Sequence, residues 1–214
     1  MFSLSAFAVV PQDDEDNVVA ERHYKRGQKL YRAGQTERAI EELYTALSVR
    51  EIYYEAQLLL GRSLLEAKRY HEAVATLKEI EPPERGAAEV HKLLGRAYYE
   101  MNRLREAARN FQYAIGFSKR PDYELHYWLG LVMLRQDDTE AAIDEATRAV
   151  ALKPRFAPAR KLLSDAYLMN KDYERSEKAL KRYLASVRDR AEAAEIKERI
   201  KAMRSLGRAK PQKS

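Results

Sequence analysis

The side chains of this 214-residue chain that could do chemistry are of few kinds. Four histidines, His23, His71, His91 and His126, could act as bases or bind a metal. There is no cysteine, which excludes disulfides and thiolate metal sites. No H-E-x-x-H pair, phosphate-cradling glycine loop or nucleophile elbow occurs. What remains is a recurrent mixture of tyrosine and cations: Tyr24, Tyr31, Tyr99 and Tyr127, with Arg62, Lys92 and Arg96. Tyrosine and arginine are the types enriched at binding hot spots. A guanidinium can hold a carboxylate through two parallel hydrogen bonds. The chemistry is therefore that of recognition, with no catalytic residue, cofactor or metal expected.

The elements that must position these residues show in the stretch KLLGRAYYEMNRLREAARNF, residues 92–111, which reads as helix although Gly95 sits inside it. A glycine within a helix costs roughly 1 kcal/mol against alanine, so it needs a packing reason. It recurs as Gly27, Gly61, Gly95 and Gly130, with Ser164 next in the series. Beyond each lies a small residue, Ala39, Ala73, Ala107, Ala142 and Ser176, then Leu43, Leu77, Phe111, Ala146 and Leu180. Leu30, Leu64, Tyr98, Met133 and Tyr167 follow each glycine at one helical step.

This pattern resembles the tetratricopeptide repeat, a 34-residue helix–turn–helix with L-G-x-x-Y, then A-x-x-x-F, then A and often P. Five copies in register cover residues 20 to about 190. The resemblance implies an all-α fold, a right-handed α-solenoid of five helix-turn-helix repeats with a C-terminal capping helix. The repeats are expected at 20–53, 54–87, 88–122, 123–156 and 157–190. Glycine and alanine are expected to be small where the two helices of a unit cross. The chain departs from the pattern near the start of each first helix, where His23, Gln57, His91, His126 and Arg160 replace an aromatic, and proline survives at the exit position only as Pro154. Equivalent positions in stacked repeats lie roughly 10 Å apart, since packed helices are ~8–10 Å apart, too far for shared metal ligation. His23, His91 and His126 therefore read as partly buried substitutes for the aromatic.

The ends lie outside the repeats. Residues 1–19 run from an apolar segment through Pro11 to the acids Asp13, Asp14, Glu15 and Asp16. Ala6-Phe7-Ala8 has the shape of a signal-peptide cleavage site, but no basic region precedes it. A signal remnant, an apolar segment packed on the first repeat and disorder all stay open. The cytoplasm is the favoured location, with export to the periplasm or medium the alternative if residues 1–8 are a truncated signal. Residues 191–207 place Ala193, Ile196, Ile200 and Met203 on one helical face, as a cap over the last repeat would, with Gly207 at its end. Residues 208–214 read as a basic disordered tail. No stretch approaches the ~20 apolar residues of a membrane span.

With the glycine as position 8 of each unit, positions 5, 9 and 12 of the first helix share the face that lines the inner surface of such a stack. The predicted peptide-binding groove is Tyr24, Gln28, Tyr31, Leu58, Arg62, Lys92, Arg96, Tyr99, Tyr127 and Leu131. Glu21, Glu55, Glu89 and Glu124 form an acidic row on its rim. The same arginines could instead pair along their own helices, Arg62 with Glu66 and Arg96 with Glu100. Some tetratricopeptide co-chaperones clamp a terminal carboxylate with lysines and asparagines. Here Tyr24, Gln28, Leu59, Glu89 and Leu93 stand at the clamp positions, so the resemblance is to the fold and not to the clamp.

The expected function is a non-enzymatic scaffold or adaptor that binds a protein or peptide segment in the groove and supports complex assembly. An envelope assembly factor is its variant if the leader is a signal remnant. Two other classes stay open. The net charge of +6 is uneven: residues 155–214 hold 17 Lys/Arg against 8 Asp/Glu, so that third could bind nucleic acid or an anionic membrane. Glu174, Glu177, Glu195 and Glu198 interleave with those cations, which favours an ordinary solvated face. The third class is self-association through an imperfect cap or outer face.

Overall fold

The computed structural model describes residues 12–80 and 86–208; the apolar segment, its cleavage-like site and the basic tail lie outside them. Eleven α-helices make up the described residues: α1 Gln12–Arg32, α2 Thr36–Val49, α3 Tyr54–Glu66, α4 Tyr70–Lys78, α5 Ala87–Glu100, α6 Leu104–Phe117, α7 Tyr123–Arg135, α8 Thr139–Leu152, α9 Ala157–Met169, α10 Tyr173–Leu184 and α11 Arg190–Arg208. They fall into two compact units, one holding α1–α4 and the other α5–α11. Consecutive helices pack on each other within each unit. In addition α1 touches α3, α5 touches α7, and α7 touches α9, so first helices form an inner layer within their unit. This is the helix-pair stack expected.

The two helices of each pair are joined by one turn used five times. Gly34 closes α1 with φ +72°, and Lys68, Asn102, Asp137 and Lys171 adopt the same left-handed conformation at φ 58–61°. The amide after each donates back into the helix, as Arg69 N to the Leu64 carbonyl at 2.8 Å and Arg103 N to that of Tyr98 at 2.8 Å. Such bonds satisfy carbonyls that a helix end leaves open. Asp122, Asp138 and Asp172 then cap α7, α8 and α10, each accepting from an amide of the first turn.

The glycines fit a close approach. A methyl built on Gly61 would lie 2.5 Å from the Leu77 side chain, and one on Gly95 2.7 Å from the Phe111 ring. At Gly130 the facing residue is Ala146, and Leu162 of α9 approaches at 3.0 Å instead. Gly27 meets Leu43 at 2.9 Å. Ala39, Ala73, Ala107 and Ala142 are each fully buried on the opposing helix. In α9 and α10 the small pair is Ser164 and Ser176, both buried. Each hydroxyl donates to the other's carbonyl, at 3.1 and 2.7 Å, so their polarity is satisfied without a partner outside the pair.

Both ends of the described chain differ in extent from the sequence reading. α1 begins at Gln12, so residues 12–19, read as leader, are continuous with the first repeat helix, and Ala20 is already buried. At the other end α11 runs through Gly207 to Arg208. Ile196, Ile200 and Met203 bury themselves with Leu180, against Leu168, Tyr183, Leu184 and Val187. Ala193 is half-buried.

Candidate functional site

In the first unit the predicted groove residues lie on α1 and α3. Gln28 Nε2 donates to the Tyr24 hydroxyl at 3.2 Å, and the Tyr24 ring lies 5.1 Å from that of Tyr53. Burial, chiefly, and the neighbouring Tyr24 push the Tyr53 phenol up. The Tyr31 hydroxyl crosses to α3 and donates to Glu66, the acid that could have paired with Arg62. Leu58 and Arg62 are half-buried on α3. These side chains hold one another across the two helices and leave a modest polar surface.

The second unit concentrates more. α5 carries Lys92, Arg96 and Tyr99, and α7 carries Tyr127, Trp128 and Leu131. The Arg96 guanidinium lies over the Trp128 ring, 5.3 Å from its centroid, and Glu100 stays exposed. Trp128 also meets Tyr99 edge-on at 5.5 Å and Tyr127 at 5.7 Å, and stacks on Phe111 at 6.2 Å. Tyr127 continues the row to Phe156 at 5.2 Å, and Phe156 to Tyr123 at 4.9 Å. An aromatic ladder thus runs from α5 across α7 to the start of α9. Arg96 lies on it at one end, Arg135 sits 4.0 Å over Tyr99, and Lys153 4.1 Å over Tyr123. Such cation–π contacts are worth ~0.5–2 kcal/mol each and hold the cations in place. Burial is the main force that pushes the phenols of Tyr99 and Tyr127 up, so both stay neutral donors throughout the ordinary pH range.

Exposure separates the predicted residues. Tyr99 is only 8% exposed, so it supports the ladder rather than presenting itself. Lys92 is bound to Glu89 at 2.9 Å and faces Glu124 at 3.8 Å, which neutralises it. Arg96, Tyr127 and Leu131 remain half-exposed. The ladder residues Trp128, Phe156, Arg135 and Lys153 were not singled out in the sequence. Trp128 is the chain's single tryptophan, which was the available signal, but its repeat position belongs to neither predicted face.

His71 is exposed, while the three repeat histidines are partly buried and do more than fill an aromatic's place. His23 Nδ1 meets Glu42 at 2.6 Å, His91 meets Asn110 at 3.0 Å, and His126 meets Glu145 at 2.7 Å, each 19 residues on. The first and second helices of these pairs are thereby pinned by one recurring polar contact. That fixed spacing was legible in the sequence. Among the described residues no group of three or more His, Asp or Glu could hold a metal.

Five of the ten cations of α10 and α11 are ion-paired, Lys201 with Glu198 at 3.9 Å. Arg175 binds Asp172 at 2.5 Å, Lys181 and Arg204 share Glu177 at 2.5 and 2.8 Å, and Arg199 binds Asp165 at 2.6 Å. The interleaved acids reduce the field that a polyanion would meet. No described helix is long and apolar enough to cross a membrane.

Paired helices stacked around small residues, with aromatic and cationic side chains on the inner layer, define a helical repeat scaffold. Models of the tetratricopeptide repeat match residues 30–97 and 133–200, and a second such model matches 92–155. The chain belongs to the tetratricopeptide repeat family, whose members are protein-interaction scaffolds and in general not enzymes. Its fold is similar to that of PilW, a widely conserved type IV pilus biogenesis factor, with 19% identity and TM-score 0.77 over 89% of this chain and 88% of that one. It is similar to MamA from Desulfovibrio magneticus RS-1 at 17% identity and TM-score 0.71, covering 78% and 94%. YrrB, a tetratricopeptide protein with an unusual peptide-binding site, is matched at 16% identity and TM-score 0.67, covering 87% and 94%. No curated protein sequence matches significantly.

Proposed function

We propose that the protein is a non-enzymatic adaptor that binds a peptide segment of a partner protein on the face made by α5 and α7, and so supports assembly of a complex. The observation that carries this reading is the Arg96 guanidinium over the Trp128 ring, 5.3 Å from its centroid, beside the half-exposed Tyr127 and Leu131. The cation–π contact holds the guanidinium on the inner layer, where its N–H groups suit a carboxylate. The adjoining rings and leucine offer area to apolar side chains at low entropic cost, because aromatic residues have few torsions to freeze. The segment that fits carries a carboxylate next to large apolar residues. Lys92 contributes little, since Glu89 and Glu124 already neutralise it.

The test is affinity capture from the native host, with wild type against Arg96→Glu and Leu131→Lys, each first checked for folding by circular dichroism. Both positions are half-exposed, unlike Tyr99, whose truncation would disturb the ladder itself. Partners captured by wild type and lost by at least about tenfold with both variants, a change of ~1.4 kcal/mol, are the expected result. Recovery of the same partners by all three proteins overturns the reading.

A further inference from the structure

The last pair departs from the others on the side that α8, α9 and α10 enclose. Every pair with histidine at the fourth position sets an acceptor 19 residues on: Glu42, Asn110 or Glu145. In the last pair the fourth position is Arg160 and the acceptor position is Ala179, whose methyl group can accept nothing. The Arg160 guanidinium spends Nη1 on the Arg182 carbonyl at 3.1 Å. Its Nε is sealed from solvent with no hydrogen-bond partner. A buried donor without an acceptor is destabilising, and more so when the group is charged.

The space that the missing side chain vacates is real. Val150, Arg160, Leu163, Tyr167, Ala179 and the α10 cations Arg175, Lys178 and Arg182 surround a cavity of about 200 Å³. A water takes ~30 Å³ of liquid, so there is room for a carboxylate with its methylene stem. Arg175 is occupied by Asp172 and lies over the Tyr167 ring at 5.1 Å. Among the described residues Lys178 and Arg182 have no ion-pair partner, so with Arg160 they leave three uncompensated positive charges at one apolar-walled hollow.

We infer that this cavity is a carboxylate-binding site for an acidic peptide segment, whose glutamate enters between α9 and α10 and takes the place of the acceptor that other pairs supply from their own second helix. A carboxylate answers each feature: two oxygens for the neighbouring cations and for the Arg160 guanidinium, whose side chain turns to present the sealed Nε–H, and methylenes for Val150, Leu163 and Ala179. A bare phosphate satisfies the charges but leaves the apolar wall uncovered. The site shares no residue with the α5–α7 face, so failure of one reading leaves the other standing.

The experiment follows the Nε–Hε resonance of Arg160 in full-length protein labelled with ¹⁵N-arginine, assigned by its disappearance in Arg160→Leu. The probes are the blocked tetrapeptide acetyl-Gly-Glu-Leu-Gly-amide, its glutamine twin, and inorganic phosphate. The expected result is a saturable shift with the glutamate peptide and binding weaker by about tenfold or more for the twin. Binding should vanish in Ala179→Glu, in which the resonance takes up the shifted position without peptide. Should Ala179→Glu fail to fold, loss of peptide binding in Arg160→Leu, read on other arginine resonances, serves the same purpose. An unmoved resonance, equal response to both peptides, or response to phosphate alone overturns the inference.

Discussion

Replacing Gly95 by alanine sets two known effects against each other in one place. Alanine favours the helix by about 1 kcal/mol over glycine. Against that, the new methyl would stand 2.7, 2.8 and 2.9 Å from three atoms of the Phe111 ring. To restore contact near 3.5–4 Å the ring or the helix must move by most of an ångström. Phe111 is fully buried and stacked on Trp128, so it has no void to move into. Overpacking costs typically 1–3 kcal/mol, and the rigidity of this ring puts Gly95→Ala toward the upper end, for a net loss of about 2 kcal/mol. At roughly 2–4 °C per kcal/mol for a chain of this size, the melting temperature should fall by about 4–8 °C. Gly130→Ala is the control. Its nearest neighbour is a terminal methyl of Leu162 at 3.0 Å, which can rotate away, so helix propensity wins and stability rises by up to about 1 kcal/mol. Thermal unfolding followed by circular dichroism measures both. If Gly95→Ala is as stable as wild type, or the two variants move together, the steric account of the repeat glycine is wrong.

Two further outcomes follow from single contacts. Ser164→Ala or Ser176→Ala alone removes a buried hydrogen bond to a carbonyl and should cost ~1–2 kcal/mol, while the double variant costs less than the two singles summed, because the Oγ–Oγ contact at 3.1 Å is lost in each single and so counted twice; urea titrations of the three proteins decide this. The Tyr183 phenol is pushed up to about 12 from 10.0, first by its hydrogen bond to Glu192 and then by burial. Its folded value is raised, so its contribution to stability is complete below about pH 10 and is lost as the pH climbs toward 12. Tyr183→Phe should therefore flatten the alkaline part of the stability profile, and Glu192→Gln should bring the ultraviolet titration of that phenol back toward 10.

Much of the fold was legible because the two helices of a repeat are close in sequence and in space. Gly95 and Phe111, Gly61 and Leu77, and the buried alanines occupy a fixed spacing, so a periodic pattern is already a contact list. The site was legible only in part. Arg96 and Tyr127 are half-exposed on α5 and α7, whereas Tyr99, expected with them on the groove face, is buried. What hides Tyr99 is Trp128 from the next pair and Arg135 above it, at positions that no repeat rule assigns. The extent of α1, which absorbs residues 12–19, was also invisible in a pattern that begins at the first repeat.

By itself, then, the amino-acid sequence determined the helix pairs, their turns and their small contact residues, since these depend on interactions repeated at one short separation. Tertiary structure alone decided which cations are spent and which are offered. Lys92 finds Glu124 on α7, Arg96 finds Trp128, and Arg160 finds no acceptor at Ala179. The physical reason is that long side chains choose among several neighbours of similar energy, and that choice rests on packing between pairs rather than on spacing within one.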